Sequence, residues 1–389
     1  MIRFLGTVMR KTIVMAGVVL FGAVGVPAAY AGSFEDALRS AYETNPQIQS
    51  ERRSLERSNE RVSQALSAFR PSLSAAYGNG RQRTAFDSDE WSYNNSESRS
   101  LSLNQPLFLG GSNIYNYRSA KDTMLAGRAS LDSSEQTILL DAVIAYMDVV
   151  QAHAVAELSQ NNQDVLAKQL DASQDRFSVG DVTRTDVAQS EARLARARSD
   201  VIQAKGELEA ASAQFERIIG YKPEGLLMMP ERYPDIPQTL EELVDQAVRD
   251  NPSVHAARFE QEAAEDSVGA AVGTLLPQVS LSASMNRQDG AGVTGASRFD
   301  SDSVQVNVTM PIYQGGSAYS RVREAKLTAK QRNFDVMDTQ RVVREGAIQA
   351  WESFQTAVAT IEAQEEAIRA AEIALDGVRQ ENQYGSRTV

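Results

Sequence analysis

Gln105-Pro106-Leu107-Phe108-Leu109-Gly110-Gly111 recurs 205 residues further on as Met310-Pro311-Ile312-Tyr313-Gln314-Gly315-Gly316. The correspondence spreads outward from there. Arg70-Pro71-Ser72-Leu73-Ser74 matches Leu276-Pro277-Gln278-Val279-Ser280 at an offset of 206. Ser33-Phe34-Glu35-Asp36, followed by Asn45-Pro46, matches Thr239-Leu240-Glu241-Glu242, followed by Asn251-Pro252, at the same offset. Arg118-Ser119-Ala120-Lys121 returns as Arg323-Glu324-Ala325-Lys326, and Ala145-Tyr146 as Ala350-Trp351. Two copies in one direction, with a period far longer than a solenoid unit, make a duplicated domain whose copies pack side by side.

Each copy has the same internal order. Ser33 with Asp36, and Thr239 with Glu242, have the spacing of capping boxes opening a short helix. Asn45 and Asn251 then cap second helices with proline in the first position. Past Pro71 and Pro277 the period changes from 3.6 to 2. Leu73, Ala75 and Tyr77 alternate with serine and alanine, and Leu101 and Leu103 with serine and asparagine. In copy two Val279, Leu281, Ala283 and Met285 alternate with Ser280, Ser282, Ser284 and Asn286, and Val304, Val306 and Val308 with Gln305, Asn307 and Thr309. The polar stretches Arg81 to Ser98 and Arg287 to Asp302 are expected as connecting loops.

Between Pro106 and Pro223, and after Pro311, there is no proline. Leu131, Ile138, Ala145 and Ala152 fall seven apart, so residues 112–178 form one helix of roughly 100 Å, longer than anything in a compact domain. The expected organisation is a signal peptide (1–31), a first repeat (32–220), a linker rich in proline (221–238) and a second repeat (239–389). The first repeat holds helices 33–69, strands 72–80 and 99–108, long helix 112–178 and helix 183–220. The second holds helices 239–275, strands 278–287 and 303–312 and long helix 316–382. The fold class is mainly α with a small β part: long coiled-coil helices plus four antiparallel strands.

Composition removes whole classes of function. The chain has 389 residues with 39 Lys and Arg against 51 Asp and Glu, a net charge of -12 that disfavours nucleic acid. No cysteine is present, which removes thiolate metal sites, cysteine nucleophiles and a lipidated cysteine. His153 and His255 stand apart from any acid cluster and are expected as helix-surface residues; no enzyme, metal or cofactor site is expected. Gly290, Gly292 and Gly295 open no helix and so cradle no phosphate, and Asp87-Ser88-Asp89 lacks the rest of a calcium loop. Arg3, Arg10 and Lys11 before the apolar run Ile13 to Val26, with Ala29-Tyr30-Ala31 at its end, read as a secretory signal peptide. No later stretch is expected to be apolar enough for a transmembrane helix.

Four two-faced strands are too few for a membrane barrel, which needs at least about eight. If they meet lipid, the lipid face is Leu73, Ala75, Tyr77, Leu101, Leu103, Val279, Leu281, Ala283, Met285, Val304, Val306 and Val308, and the protein must oligomerise. The alternatives are a soluble sandwich edge, within a soluble periplasmic coiled-coil scaffold, and, more distantly, a secreted hydrolase.

With these motifs, and with Arg176-Phe177-Ser178-Val179-Gly180, Thr185-Asp186-Val187 and Tyr384-Gly385-Ser386-Arg387-Thr388, the whole mature chain resembles the TolC family of outer-membrane exit ducts. The resemblance implies a homotrimer with a twelve-stranded barrel in outer-membrane lipid and an α-helical barrel in the periplasm. It implies as partners a periplasmic adaptor protein and an inner-membrane pump or ABC exporter of the type I secretion kind. It places gate residues at Asp186 and Arg387, with Thr185 and Asn382 beside them; Asn382 stands where the family has tyrosine. It places adaptor contacts at the tip turns Val179-Gly180-Asp181 and Tyr384-Gly385-Ser386. The resemblance further implies a C-terminally truncated fragment, with the family's aspartate ring lying beyond Val389.

Overall fold

The computed structural model describes residues 33–85, 91–230, 236–290 and 298–383; the signal segment and the tip residues Tyr384, Gly385, Ser386 and Arg387 lie outside the described residues. The elements run α1 (Phe34–Thr44), α2 (Pro46–Ser67), β1 (Ser72–Ala85), β2 (Trp91–Leu109), α3 (Ser112–Ser178), α4 (Arg184–Ile219), α5 (Leu240–Asp250), α6 (Pro252–Gly273), β3 (Gln278–Asp289), β4 (Arg298–Thr309) and α7 (Ser317–Gln383).

The strands form one antiparallel sheet in chain order, β1-β2-β3-β4, with β1 and β4 as its edges. Beneath it the helices keep that order: α2 packs on α3, α3 on α6 and α6 on α7. Strands and helices therefore make a single layer, each strand continuing into the helix below it. Close spacing comes from small side chains at the seams. Ser119 donates to the carbonyl of Ala263 at 2.8 Å, and the hydroxyls of Ser133 and Ser253 lie 3.0 Å apart. The turn from β2 into α3 is tighter still. Gly110 has φ +63°, and a Cβ there would fall 2.0 Å from the carbonyl oxygen of Gly273 at the end of α6, so only glycine fits.

Large buried side chains are concentrated at one level. Tyr146 of α3 and Phe215 and Ile219 of α4 are fully buried with Ala37 and Ala41 of α1. Phe34 meets Tyr146 edge to face at 5.2 Å, and the Tyr146 hydroxyl donates to the Met228 carbonyl at 2.8 Å, tying the inter-repeat segment to the same core.

At this level α2 begins where α4 ends. Asn45 is buried and faces both helices: its Oδ1 accepts from the N–H of Gln47 at 2.9 Å, capping α2. Its Nδ2 donates to the Ile218 carbonyl at 3.0 Å, closing the end of α4, and Ser40 donates to the next carbonyl, Ile219, at 2.8 Å. The carbonyl end of one helix meets the N–H end of the next, so α4 and α2 run as one interrupted rod beside the 67-residue α3.

Three expectations need correction. Arg81 to Ser98 and Arg287 to Asp302 are not simply loops: β1 and β3 run on to Ala85 and Asp289, and β2 and β4 start at Trp91 and Arg298. Ladder hydrogen bonds continue after the aliphatic alternation gives way to charged and aromatic residues. The strand expected at 303–312 ends at Thr309, which faces Gln278, the first residue of β3, so beyond it β4 has no partner among the described residues. A hydrophobic window does occur later in the chain: α3 contains an 18-residue stretch of mean hydropathy 1.5, long and apolar enough to cross a membrane. Within this structure, α3 supplies Ile138, Ala142, Ala145, Tyr146 and Val149 to buried positions.

Replacing Asn45 by Ala removes both helix-end contacts and is expected to destabilise the junction by about 1–2 kcal/mol. Asn45→Ser keeps a capping oxygen but no amide donor and should recover part of the loss. Thermal unfolding followed by far-ultraviolet circular dichroism of the detergent-solubilised protein measures both.

Candidate functional site

Two regions carry the functional expectations, the sheet and the lower tip of the α3–α4 hairpin. In the sheet, the register sets the facing pairs: Leu73 lies opposite Leu103, Ala75 opposite Leu101, Leu103 opposite Ala283, Leu101 opposite Met285, Leu281 opposite Val306 and Val279 opposite Val308. All twelve expected lipid-face residues thus share one face, completed by Tyr77 beside Arg99 and by Val304 beside Ala283. Among the described residues no element covers it. Leu73 is 66%, Val304 76% and Val308 67% exposed, which removes the sandwich reading, because a sandwich buries its apolar face.

The opposite face is polar and internally bonded. Ser74 and Ser102 hydroxyls lie 2.7 Å apart, Ser284 and Ser303 hydroxyls 2.9 Å, and Asn307 donates to Ser282 at 2.9 Å. Beyond the aliphatic band the apolar face changes character in two steps. First come ion pairs: Arg99 with Glu97, Arg287 with Asp300 at 3.0 Å and Arg298 with Asp300 at 3.1 Å. Nearer the β1–β2 hairpin, the Arg83 guanidinium stacks 3.7 Å from the Trp91 ring centroid and Arg81 lies 4.9 Å from that of Tyr93. The sequence reading placed Trp91 and Tyr93 in a loop and missed the arginines behind them. The signal was the continued alternation of Arg81, Arg83, Trp91 and Tyr93.

At the tip, α3 ends in a Schellman turn. Gly180, φ +81°, sends its N–H to the Phe177 carbonyl at 3.0 Å, and Asp181 sends its N–H to that of Arg176 at 2.9 Å. This turn projects Val179, 79% exposed, with Phe177 also exposed. Then α4 opens on a capping box that the sequence analysis did not register. The Asp186 carboxylate accepts from the N–H and the hydroxyl of Thr183, both at 2.8 Å, through the same oxygen, Oδ2. The Thr183 N–H, and secondarily its hydroxyl, hold the Asp186 carboxyl below the usual carboxylate range. Oδ1 has no hydrogen-bond partner among the described residues. Thr185 is exposed in the first turn of α4, and Asn382 lies in the last turn of α7. Arg387 and the second tip turn fall outside the described residues. Among the described residues no group of histidine and acid side chains could hold a metal ion.

A sheet apolar on one face and polar on the other, standing on a one-layer wall of helices about 100 Å long, is the subunit of an outer-membrane channel. This chain belongs to the family of outer membrane efflux proteins, whose model matches residues 37–221 and 243–389. The outer membrane efflux protein BepC of Brucella suis is 32% identical over 379 residues, covering 97% of this chain and 82% of BepC. The outer membrane protein TolC of Escherichia coli is 26% identical over 367 residues, 89% of this chain and 72% of TolC. Among solved structures, the outer membrane protein VceC of Vibrio cholerae superposes with a TM-score of 0.75 at 19% identity, covering 91% of this chain and 87% of that one. The protein is an exit duct of the outer membrane, and the soluble scaffold is set aside.

Because the folded-state pKa of Asp186 is depressed, its contribution to the α4 cap is present above the ordinary carboxylate range and is lost as pH falls through the folded value. Thr183→Ala is expected to cost about 1 kcal/mol of local stability at neutral pH. Gly180→Ala, forced into a left-handed conformation, should cost about 1 kcal/mol. Amide hydrogen exchange over residues 176–190 should show faster opening in both variants, with the Thr183→Ala effect shrinking at acid pH.

Proposed function

We propose that three copies close their sheets into one twelve-stranded barrel in the outer membrane and continue as a helical tunnel into the periplasm, where an adaptor and an inner-membrane pump or ABC exporter engage the tip. The observation that carries this reading is the exposed apolar face continuous across all four strands, backed by a serine- and asparagine-rich face that suits a watery lumen. The cargo is small molecules or secreted polypeptides. The family and its solved relatives are channels, which supports a non-enzymatic role.

Assigned this way, Leu73, Ala75, Tyr77 and their nine counterparts face lipid, and the tip turn with Val179, Gly180 and Asp181 receives the adaptor, joined by Tyr384, Gly385 and Ser386. The gate reading uses the free oxygen of Asp186. With Oδ2 fixed by Thr183, Oδ1 is left in this reading for Arg387, with Thr185 and Asn382 as the flanking gate residues. A charge pair suits a gate because a partner or a change of salt can release it.

Leu281→Arg or Val306→Arg is expected to cost about 2–4 kcal/mol of folding stability in an outer-membrane refolding assay, with Ser282→Arg tolerated. Equal tolerance on the two faces would reverse the inside-outside assignment. In planar bilayers, Asp186→Ala and Arg387→Ser should each raise single-channel conductance, the double variant little more than either. Thr183→Ala is the control: if loss of the cap alone opens the channel as far, the charge pair is not the gate.

A further inference from the structure

The charges of the strands all stand on one face. The five arginines, Arg81, Arg83, Arg99, Arg287 and Arg298, alternate in step with the aliphatic residues, and so do the strands' four acids. Within β1 to β4 the serine- and asparagine-rich face carries no charged residue. A channel that used these charges on its contents would set them on that other face. Placed outward, they meet whatever surrounds the sheet above the hydrocarbon.

The outward charges form two tiers. In the lower tier the arginines are neutralised: Arg99 pairs with Glu97, and Asp300 takes both Arg287 and Arg298. In the upper tier Arg81 and Arg83 have no carboxylate partner among the described residues. They lie instead on aromatic rings, Arg83 at 3.7 Å from the Trp91 centroid and Arg81 at 4.9 Å from that of Tyr93. A ring holds a guanidinium by its flat face and leaves the N–H edge free for an acceptor. The second repeat has no such tier. At the repeat offsets Arg81 and Arg83 correspond to Arg287 and Asp289, and Tyr93 to Arg298, so the second hairpin has acids where the first has rings. The first hairpin alone keeps two oriented cations without an anion, and the anion that a guanidinium edge fits in bidentate fashion is a carboxylate or a phosphate.

Height identifies the bearer of that anion. The apolar band has its lower margin at Ile312 and Tyr313, exposed just past the end of β4, and its upper margin at Tyr77. Arg81 and Arg83 come four and six residues after Tyr77. At about 3.3 Å per residue and a strand tilt of about 40°, that is about 10 and 15 Å above the band. The headgroup layer of a glycerophospholipid is only roughly 5–7 Å deep. Phosphate at the height of the upper tier is carried on sugar.

We propose that Arg81 and Arg83 bind phosphate groups borne on the sugars of an outer-leaflet glycolipid, with Trp91 and Tyr93 holding the two guanidinium groups toward it. The proposal goes beyond the duct reading and rests on it for one point, that the hairpin ends, opposite the helices, stand on the outer side of the membrane.

Trp91 is one of two tryptophans, so Trp351→Phe leaves it as the sole reporter in the full chain. Delipidated protein in detergent is titrated with rough lipopolysaccharide, with the same glycolipid dephosphorylated by hydrofluoric acid, and with phosphatidylglycerol, following Trp91 emission. The phosphorylated glycolipid should bind about tenfold or more tightly than either of the others. Equal binding of the dephosphorylated form overturns the phosphate site, and equal binding of phosphatidylglycerol overturns its assignment to sugar. These arms leave both arginines in place and so do not depend on how a variant folds. Arg81→Gln with Arg83→Gln should lower the affinity about tenfold, and Arg287→Gln with Arg298→Gln should change it less than about twofold. Equal losses in the two double variants would reduce the site to general surface charge and overturn it. The side of the membrane is read separately. The chain has no cysteine, so Ser88→Cys, between β1 and β2, can be labelled alone by an impermeant maleimide. Label taken up only after the cells are broken overturns the orientation of the duct and this proposal together. Label on intact cells, with no preference for phosphate, overturns the lipid site and leaves the duct reading intact.

Discussion

A backbone N–H or carbonyl facing hydrocarbon has no water to bond, and each one left unpaired costs several kcal/mol. The sheet of this chain is shaped by that constraint. It has four strands and two open edges, a form that lipid does not accept, and in the proposed assembly the sheet is one segment of a larger closed surface. The helices beneath keep the strand order, each strand followed downward by one rod of the wall, and in the proposed assembly the operation that closes the sheet closes the wall as well. Repeating the α–β–β–α unit within one chain fills two such segments per polypeptide.

A wall one layer thick has water on both sides over most of its length, so it cannot be held by a thick core. The structure meets this with two devices. Small residues along the seams, such as Ser119 against Ala263, bring helices close enough for many weak contacts and backbone-directed hydrogen bonds. Large side chains are gathered at one height, where α1 lies across α3 and α4 and covers Tyr146, Phe215 and Ile219. The same height is where the rod of α4 and α2 is interrupted. A break in a helix exposes carbonyls and amides that need partners, and Asn45 satisfies both ends from inside this thick part of the wall.

Much of this was legible in the residues. The repeated Pro-x-aromatic-x-Gly-Gly stretches, the Asn-Pro caps and the change of period from 3.6 to 2 each follow from local backbone chemistry, and they fixed element order, the exposed apolar face and the length of α3. Strand ends were less legible, because past Tyr77 and Met285 the outward positions become Arg81, Arg83, Arg99 and Arg287, and alternation between charged and polar residues has no hydrophobic contrast. The Thr183–Asp186 box has the spacing of Ser33 and Asp36 but was less legible because it precedes a polar turn, Gln189-Ser190-Glu191, rather than an apolar run. The hydrophobic window in α3 was missed because its apolar residues are not confined to one face: Ile138, Ala142, Ala145, Tyr146 and Val149 are buried while Leu140 and Ile144 are exposed.

Ile312 and Tyr313, exposed beneath an edge strand, also bear on the history of each molecule. A chain that has not yet met its neighbours presents two unpaired strand edges and an exposed apolar face. That is the template on which misdirected sheet growth begins. Maturation is therefore a race between encounter with like chains and capture by unlike ones. Its outcome depends on local chain concentration and on holding proteins that bind unfinished sheets, and slow expression should favour yield more than any gain in the stability of the isolated subunit.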